Sequence, residues 1–244
     1  MQYIKYYLWL PFLLLVSACG APEGKVIAKI PEASGISYCS KEKIFIVVND
    51  EGTYYEMSKK GKVLKKTKLG NYDLEGVVCE EEQMIFALEN KGILIVNKET
   101  GEKKKVALDT MYNGKKLSLF KKKSGVEGIA KVDNILYLAK QSKKKSESFI
   151  AVVRLEPYPS RIVDVIENYI EDIAGLTYHD GYLYMVSDKK DLLVKYDLQK
   201  KKSIQKIKLE KGAWEGIAFD NKNHVYLADD DGRVLKYKKK DLGL

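Results

Sequence analysis

The chain has 244 residues, 45% of them apolar and only five of them prolines, enough to bury one large core and not the composition of a disordered or collagen-like polymer. Its formal charge of +9 raises nucleic acid or an anionic membrane as partners. The lysines fall in short loop runs without the interleaved aromatics that stack bases, so no nucleic-acid partner is expected.

Residues 1–18 read as a lipoprotein signal peptide: Lys5, an apolar run from Tyr6 to Val16, then small residues. The run is too short to span a bilayer. Val16-Ser17-Ala18-Cys19 resembles the bacterial lipobox, in which the cysteine is acylated and becomes the new N-terminus. Residues 19–23 are then a lipidated tether, and 24–244 a single domain. Gly20 stands where aspartate would signal inner-membrane retention in the enterobacterial rule. The expected location is therefore the cell envelope, lipid-anchored at the outer membrane on its periplasmic or surface side.

The rest of the chain repeats itself. Ala33-Ser34-Gly35-Ile36, Leu74-Glu75-Gly76-Val77, Val126-Glu127-Gly128-Ile129, Ile173-Ala174-Gly175-Leu176 and Trp214-Glu215-Gly216-Ile217 recur at roughly 40 to 50 residues, the spacing of a stacked or radial array. After each glycine come a short strand, a polar turn and an apolar strand. In the first unit these are 35–38 and 44–48, with further strands at 53–57 and 62–69. The second unit places strands at 76–79, 84–88, 92–96 and 103–108. A link, 109–125, lacks the strand pattern. The third unit has 128–132, 135–139, 149–155 and 161–166, with a lysine- and serine-rich central turn expected to be mobile. The fourth has 175–178, 182–186, 192–197 and 203–209.

The fifth unit, 216–219, 224–228 and 233–237, lacks its fourth strand. Gly24-Lys25-Val26-Ile27-Ala28-Lys29-Ile30 copies the fourth-strand pattern of Gly61-Lys62-Val63-Leu64-Lys65-Lys66-Thr67. The expected fold is all-β: a five-bladed β-propeller closed by an N-terminal strand that completes the last blade, leaving only short, protected edges. Cys39 and Cys79 remain in an oxidising compartment. Their positions allow a disulfide between neighbouring blades, but two buried thiols are the expectation.

In such a ring the first strand of each blade lines the channel, and starts of first strands share a face with ends of second strands. Glu75, Glu127 and Glu215 mark the starts, with Asp73 and Asp172 in the same approaches. Asp50, Glu89, Asp188 and Asp229 mark the ends. These carboxylates should gather around one mouth, where like charges need a cation or a proton. Hard oxygen donors point to Ca²⁺ or Mg²⁺. His179 and His224 fall at or beside turns of the opposite face, so no zinc-type cluster forms. Each glutamate capping backbone N–H groups at its own blade is the alternative. The opposite face carries lysine turns, and a short tether from Cys19 would hold it near the membrane.

Taken together, Ala33-Ser34-Gly35-Ile36 with Val48-Asn49-Asp50, Leu74-Glu75-Gly76, Val126-Glu127-Gly128-Ile129-Ala130 with Tyr137-Leu138-Ala139-Lys140, Asp172-Ile173-Ala174-Gly175-Leu176 with Val186-Ser187-Asp188, and Trp214-Glu215-Gly216-Ile217-Ala218-Phe219-Asp220 with Val225-Tyr226-Leu227 resemble the SdiA-regulated family over roughly residues 33 to 237. Ala174 departs from the serine usual before that glycine. The resemblance implies a calcium-associated envelope propeller without an established reaction. More distantly the chain resembles phytase-like esterase and gluconolactonase-like propellers.

The expected function is a membrane-anchored binding module, a monomer, with calcium at the acidic mouth and an unidentified ligand or protein there. The alternative is a metal-dependent phosphate- or carboxylic-ester hydrolase with Glu127 or Glu215 as base.

Overall fold

A computed structural model describes residues 21–167 and 170–244. The segment expected to be a signal peptide, and Cys19, lie outside the described residues. The expected ring is present: five small antiparallel sheets whose innermost strands pack side by side, each against the next and the fifth against the first. Blade 1 comprises Ala33–Cys39, Ile44–Asn49, Thr53–Ser58 and Val63–Lys68. Blade 2 comprises Leu74–Cys79, Gln83–Leu88, Gly92–Asn97 and Lys103–Lys105. Blade 3 comprises Val126–Val132, Ile135–Lys140, Phe149–Arg154 and Ser160–Ile166, and blade 4 Ile173–His179, Tyr182–Ser187, Leu192–Asp197 and Lys202–Lys208. Blade 5 comprises Trp214–Phe219, His224–Asp229, Arg233–Lys238 and, as its outer strand, Lys25–Lys29.

That outer strand pairs antiparallel with Arg233–Lys238, Lys25 opposite Lys236 and Lys29 opposite Arg233. The two ends of the chain are thereby hydrogen-bonded into one sheet. The second strands are almost wholly buried in every blade, as apolar runs flanked by blades on both sides should be. The core consequently lies between blades rather than within one. Phe45 of blade 1 packs on Tyr226 of blade 5 at 4.1 Å between ring centroids.

Each first strand begins two residues before its glycine, earlier than the repeat pattern suggested. The cause is a break in register at the same place in all five blades. Ala33, Leu74, Val126, Ile173 and Trp214 pair with the second strand, the next residue has no opposite number, and pairing resumes at the glycine. This is a β-bulge, a device that re-aims a side chain out of the sheet's alternation. The bulged residues are Ser34, Glu75, Glu127, Ala174 and Glu215.

The glycines that follow are demanded by the axis. A Cβ on Gly35 would fall 2.7 Å from the Glu75 carbonyl oxygen, and one on Gly128 2.8 Å from that of Ala174. Gly76, Gly175 and Gly216 meet the neighbouring motif equally closely. Glycine therefore lets adjacent backbones touch around the channel.

Three details of the outer strand, link and central turn also differ from expectation. Blade 2's outer strand stops at Lys105; the chain then crosses, and Leu108–Asp109 runs parallel to Ser160–Arg161 of blade 3. The crossing carries Val106 and Leu108 onto the apolar cluster between blades 2 and 3. The link that follows is not featureless: Met111–Tyr112 and Lys115–Lys116 form a small hairpin, and Leu119 after it is buried in the cluster between blades 2 and 3. The central turn of blade 3 contains a short 3-10 turn, Lys145–Glu147, with Ser142 and Ser148 buried on either side.

Cys39 and Cys79 form a disulfide rather than two thiols. They end the inner strands of blades 1 and 2, which lie next to each other, and the Cys79 N–H donates to Ser37 Oγ at 3.0 Å. The Cα atoms are 5.2 Å apart, within bridging range. Closing a loop over a sequence separation of 40 restricts the unfolded chain. The Cys39→Ser/Cys79→Ser variant is expected to lose about 3 kcal/mol in urea unfolding; a loss under about 1 kcal/mol would count against that role.

Candidate functional site

The register defines two tiers of side chains at one mouth of the channel. The inner tier is the bulge set. The outer tier is the residue just past each second strand's pairing with the first: Asp50, Glu89, Gln141, Asp188 and Asp230. Three carboxylates occupy the inner tier and four the outer.

The densest part spans blades 1 to 3. One carboxylate oxygen from each of Asp50, Asp73 and Glu75 lies within 4.8 Å of the others. Glu75 also hydrogen-bonds Glu127 through the two carboxyl groups. Two carboxylates can do that only by sharing a proton. Burial first, then the charge and hydrogen bond of Glu127, hold Glu75 well above the usual carboxylate range. Burial likewise lifts Glu127 to about 7, with the Glu75 bond pulling down and Glu89, Asp50 and Asp73 pushing up.

Asp50 reaches about 6. Desolvation of its carboxyl is the leading cause; the Ser34 hydroxyl, which donates to Oδ1, opposes it, while Asp73, Asp230 and Glu32 add repulsion. Asp50 is nevertheless exposed at the rim, so crowding by like charge is the more durable part of that shift. Glu89 is raised by burial and by Asp73, against the opposing pull of the Lys123 and Ser124 backbone N–H groups.

Glu215, from blade 5, is partly exposed to the channel yet enclosed by the ring. Burial, then Glu127, Asp188, Asp230 and Asp50, hold it well above its ordinary value. No lysine or arginine is a principal neighbour of Asp50, Glu75, Glu127 or Glu215 among the described residues.

Blade 4 differs. Ala174 leaves its inner position without a side-chain oxygen. Asp172 is buried at a φ of 56°, and its Oδ1 has no hydrogen-bond partner. Burial raises its pKa while Lys143 and Lys189 lower it. Asp188 is raised by burial and then by Asp172.

The structure thus brings Asp50, Glu75, Glu127 and Glu215 into one electrostatic field, with Glu89 beside them and Asp172 and Asp188 across the mouth. Asp229 is placed elsewhere. It is fully buried and bound by Arg233, whose Nε donates to Oδ2 at 2.8 Å and whose backbone N–H donates to Oδ1 at 3.0 Å. It braces its own turn. One step along a strand reverses the face a side chain takes, and the outer-tier position of blade 5 belongs to Asp230, raised by burial and by Asp231 and Asp229. Aligning second-strand ends across the repeats gives that assignment. Asp73 is the other member that spacing alone underplayed; it stands two residues before the bulge of blade 2.

The second possible ligand trio, Cys39, Glu42 and Cys79, has both sulfurs tied in the disulfide. His179 lies at the opposite end of the channel, stacked on Phe219 at 4.3 Å.

Five four-stranded blades around a carboxylate-lined mouth define the class: a five-bladed β-propeller with an acidic channel mouth. The chain belongs to the SdiA-regulated family, whose model matches residues 21–233. No curated protein matches it. Among solved structures, the glutaminyl cyclase of Myxococcus xanthus is similar in fold, with a TM-score of 0.63 over 89% of this chain and 94% of that one, at 13% sequence identity.

Proposed function

We propose that the chain is a lipid-anchored envelope binding module that holds a divalent cation, calcium in the first instance, at the channel mouth. The observation that carries the cation is the convergence of Asp50, Asp73 and Glu75 oxygens within 4.8 Å, in a field where protons do the neutralising. The donor set fits: all hard oxygens, from side chains at the junction of two blades. Glu127 would complete the set once its shared proton leaves. The lipid anchor rests on the lipobox at Cys19.

A second reading is favoured by one specific feature. Glu127, at about 7, could take or give a proton at neutral pH, as a general base must. A bound cation would supply an acidified water, and Glu127 beside Glu75 would hold its proton. This is the metal-dependent ester hydrolase alternative. The likeness to a glutaminyl cyclase adds fold alone.

Thermal unfolding of the purified chain with EDTA, Ca²⁺ or Mg²⁺ tests the proposal. Calcium at about 100 times its dissociation constant should add about 2.7 kcal/mol, a rise of roughly 5–10 °C. The rise should disappear in Glu75→Gln. Superimposable melts in all three conditions would sink the cation. A calcium-dependent rise without turnover of phosphate and carboxylic esters leaves the binding module; turnover abolished in Glu127→Gln establishes the hydrolase.

A further inference from the structure

We infer that the seam between blades 5 and 1 is a docking surface for an anionic phospholipid leaflet. This surface lies away from the acidic mouth and stands whether or not a cation binds there. Where blade 5's outer strand runs beside the hairpin turn of blade 1, a groove of about 600 Å³ is lined by Lys25, Lys59, Lys60, Lys236 and Lys238, against two carboxylates, Glu23 and Asp241. A second groove shares His224 and Lys238 with it and adds four lysines and no acidic side chain. The basic surface is therefore continuous across the underside of blade 5.

The seam is also apolar. Gly61, in the blade 1 turn, lies so close to Ile27 that a Cβ on it would fall 1.9 Å from the Ile27 carbonyl oxygen. Val63 and Leu64 follow Gly61 by two and three residues, and Val26 stands next to Ile27 in the joining strand. These three are 40%, 51% and 44% exposed, and they are three of only seven large apolar side chains left exposed among the described residues. Lysines rimming exposed aliphatic side chains match a leaflet that offers anionic headgroups over an apolar interior.

The polypeptide itself reaches the same place. Lys25–Lys29 is the joining strand, and the Gly24 N–H is fixed by Glu210 Oε1 at 3.2 Å. The apolar run from Tyr6 to Val16 and Cys19 precede it in sequence. Anything those residues insert in a bilayer brings the seam to its surface. A nucleic acid would meet the same charge but has no use for Val26, Val63 and Leu64. The acidic mouth, at the other end of the channel, would then face away from the leaflet.

The test compares the full chain on vesicles of phosphatidylcholine with vesicles in which about a third is phosphatidylglycerol, by flotation at low and near-physiological salt. An acyl anchor contributes equally to both, so the difference between them reports the surface; acylation of Cys19 is read separately by mass spectrometry. Lys25→Glu/Lys60→Glu/Lys62→Glu/Lys238→Glu changes four exposed lysines at the seam. Lys104→Glu/Lys105→Glu/Lys115→Glu/Lys116→Glu makes the same charge change on blade 2 and the following hairpin. Both should melt like the wild type. The seam variant should lose the anionic preference by about tenfold or more, and the control should keep it. Val26→Ser/Leu64→Ser should weaken the binding that survives added salt. Equal loss in the two charge variants, or no preference for phosphatidylglycerol in the wild type, overturns the inference.

Discussion

Gly128→Val is expected to cost about 3 kcal/mol or more in urea unfolding, from the cost of overpacking a site that cannot yield. The neighbour a Cβ would strike is backbone: the Ala174 carbonyl oxygen at 2.8 Å and the Leu176 N at 2.9 Å. Backbone in the innermost strand of the next blade cannot swing aside as a side chain can. Relief requires blades 3 and 4 to separate at the axis, and with them Glu127 and Asp172. The damage should therefore extend to cation binding. Gly101→Asn is the control. Gly101 has φ 71° in a turn with nothing within 4 Å of a Cβ, and asparagine tolerates that conformation. Its cost should stay within about 1 kcal/mol. Equal losses at the two positions would contradict the packing account of the ring.

The cation-free chain should lose stability as pH rises from about 4.5 to about 7.5. The sign follows from the carboxyl groups at the mouth. Glu75, Glu127, Glu215 and Asp50 have folded-state pKa values above their ordinary values. Between the two values the folded chain holds protons that the unfolded chain has released. Their contribution is complete below the unfolded pKa and disappears as pH passes through the folded one. For Asp50 the window closes near 6, and for Glu127 near 7. Buried Glu127 alone could account for up to about 3 kcal/mol, and roughly 5–10 °C in the melting temperature. Calcium should reverse the trend, because it binds the deprotonated form and competes with protons. Melting scans at pH 5, 6, 7 and 8 with EDTA and with calcium check both limbs. A cation-free melting temperature that rises through this window would show that the mouth is neutralised some other way.

Much of this is legible in the sequence. A recurrent glycine flanked by apolar residues marks where only glycine fits, and its five positions locate the five inner strands. The copied pattern of Gly24 to Ile30 located the closing strand, since an outer strand paired on one side keeps its own lysine-rich alternation. The inner carboxylates were legible because they immediately precede those glycines. What escaped depended on relations across the chain. Asp229 and Asp230 differ by one step, and only pairing register decides which faces the channel. The bond between Cys39 and Cys79 depends on the distance between two inner strands. Leu108–Asp109 leaves its own blade for the next, where Val106 and Leu108 pack on the apolar cluster between blades in place of a further solvent-exposed run like Lys103–Lys105.

Blade 4 gives the mouth its direction. With Ala174 in place of a residue with a side-chain oxygen, the carboxylates crowd towards blades 1 to 3, while Asp172 and Asp188 stand across from them with Lys143 and Lys189 bearing on Asp172.

The central claim is a cation at the junction of blades 1 and 2, and calorimetric titration of calcium into the EDTA-treated chain at pH 7.5 tests it most directly. The account predicts about one calcium bound per chain, with protons released as Glu75 and Glu127 give up the one they share. In Asp50→Asn/Glu75→Gln the affinity should fall by about tenfold or more while the fold is retained. A wild type that takes up no calcium, or a double variant that binds it as tightly, would contradict the account.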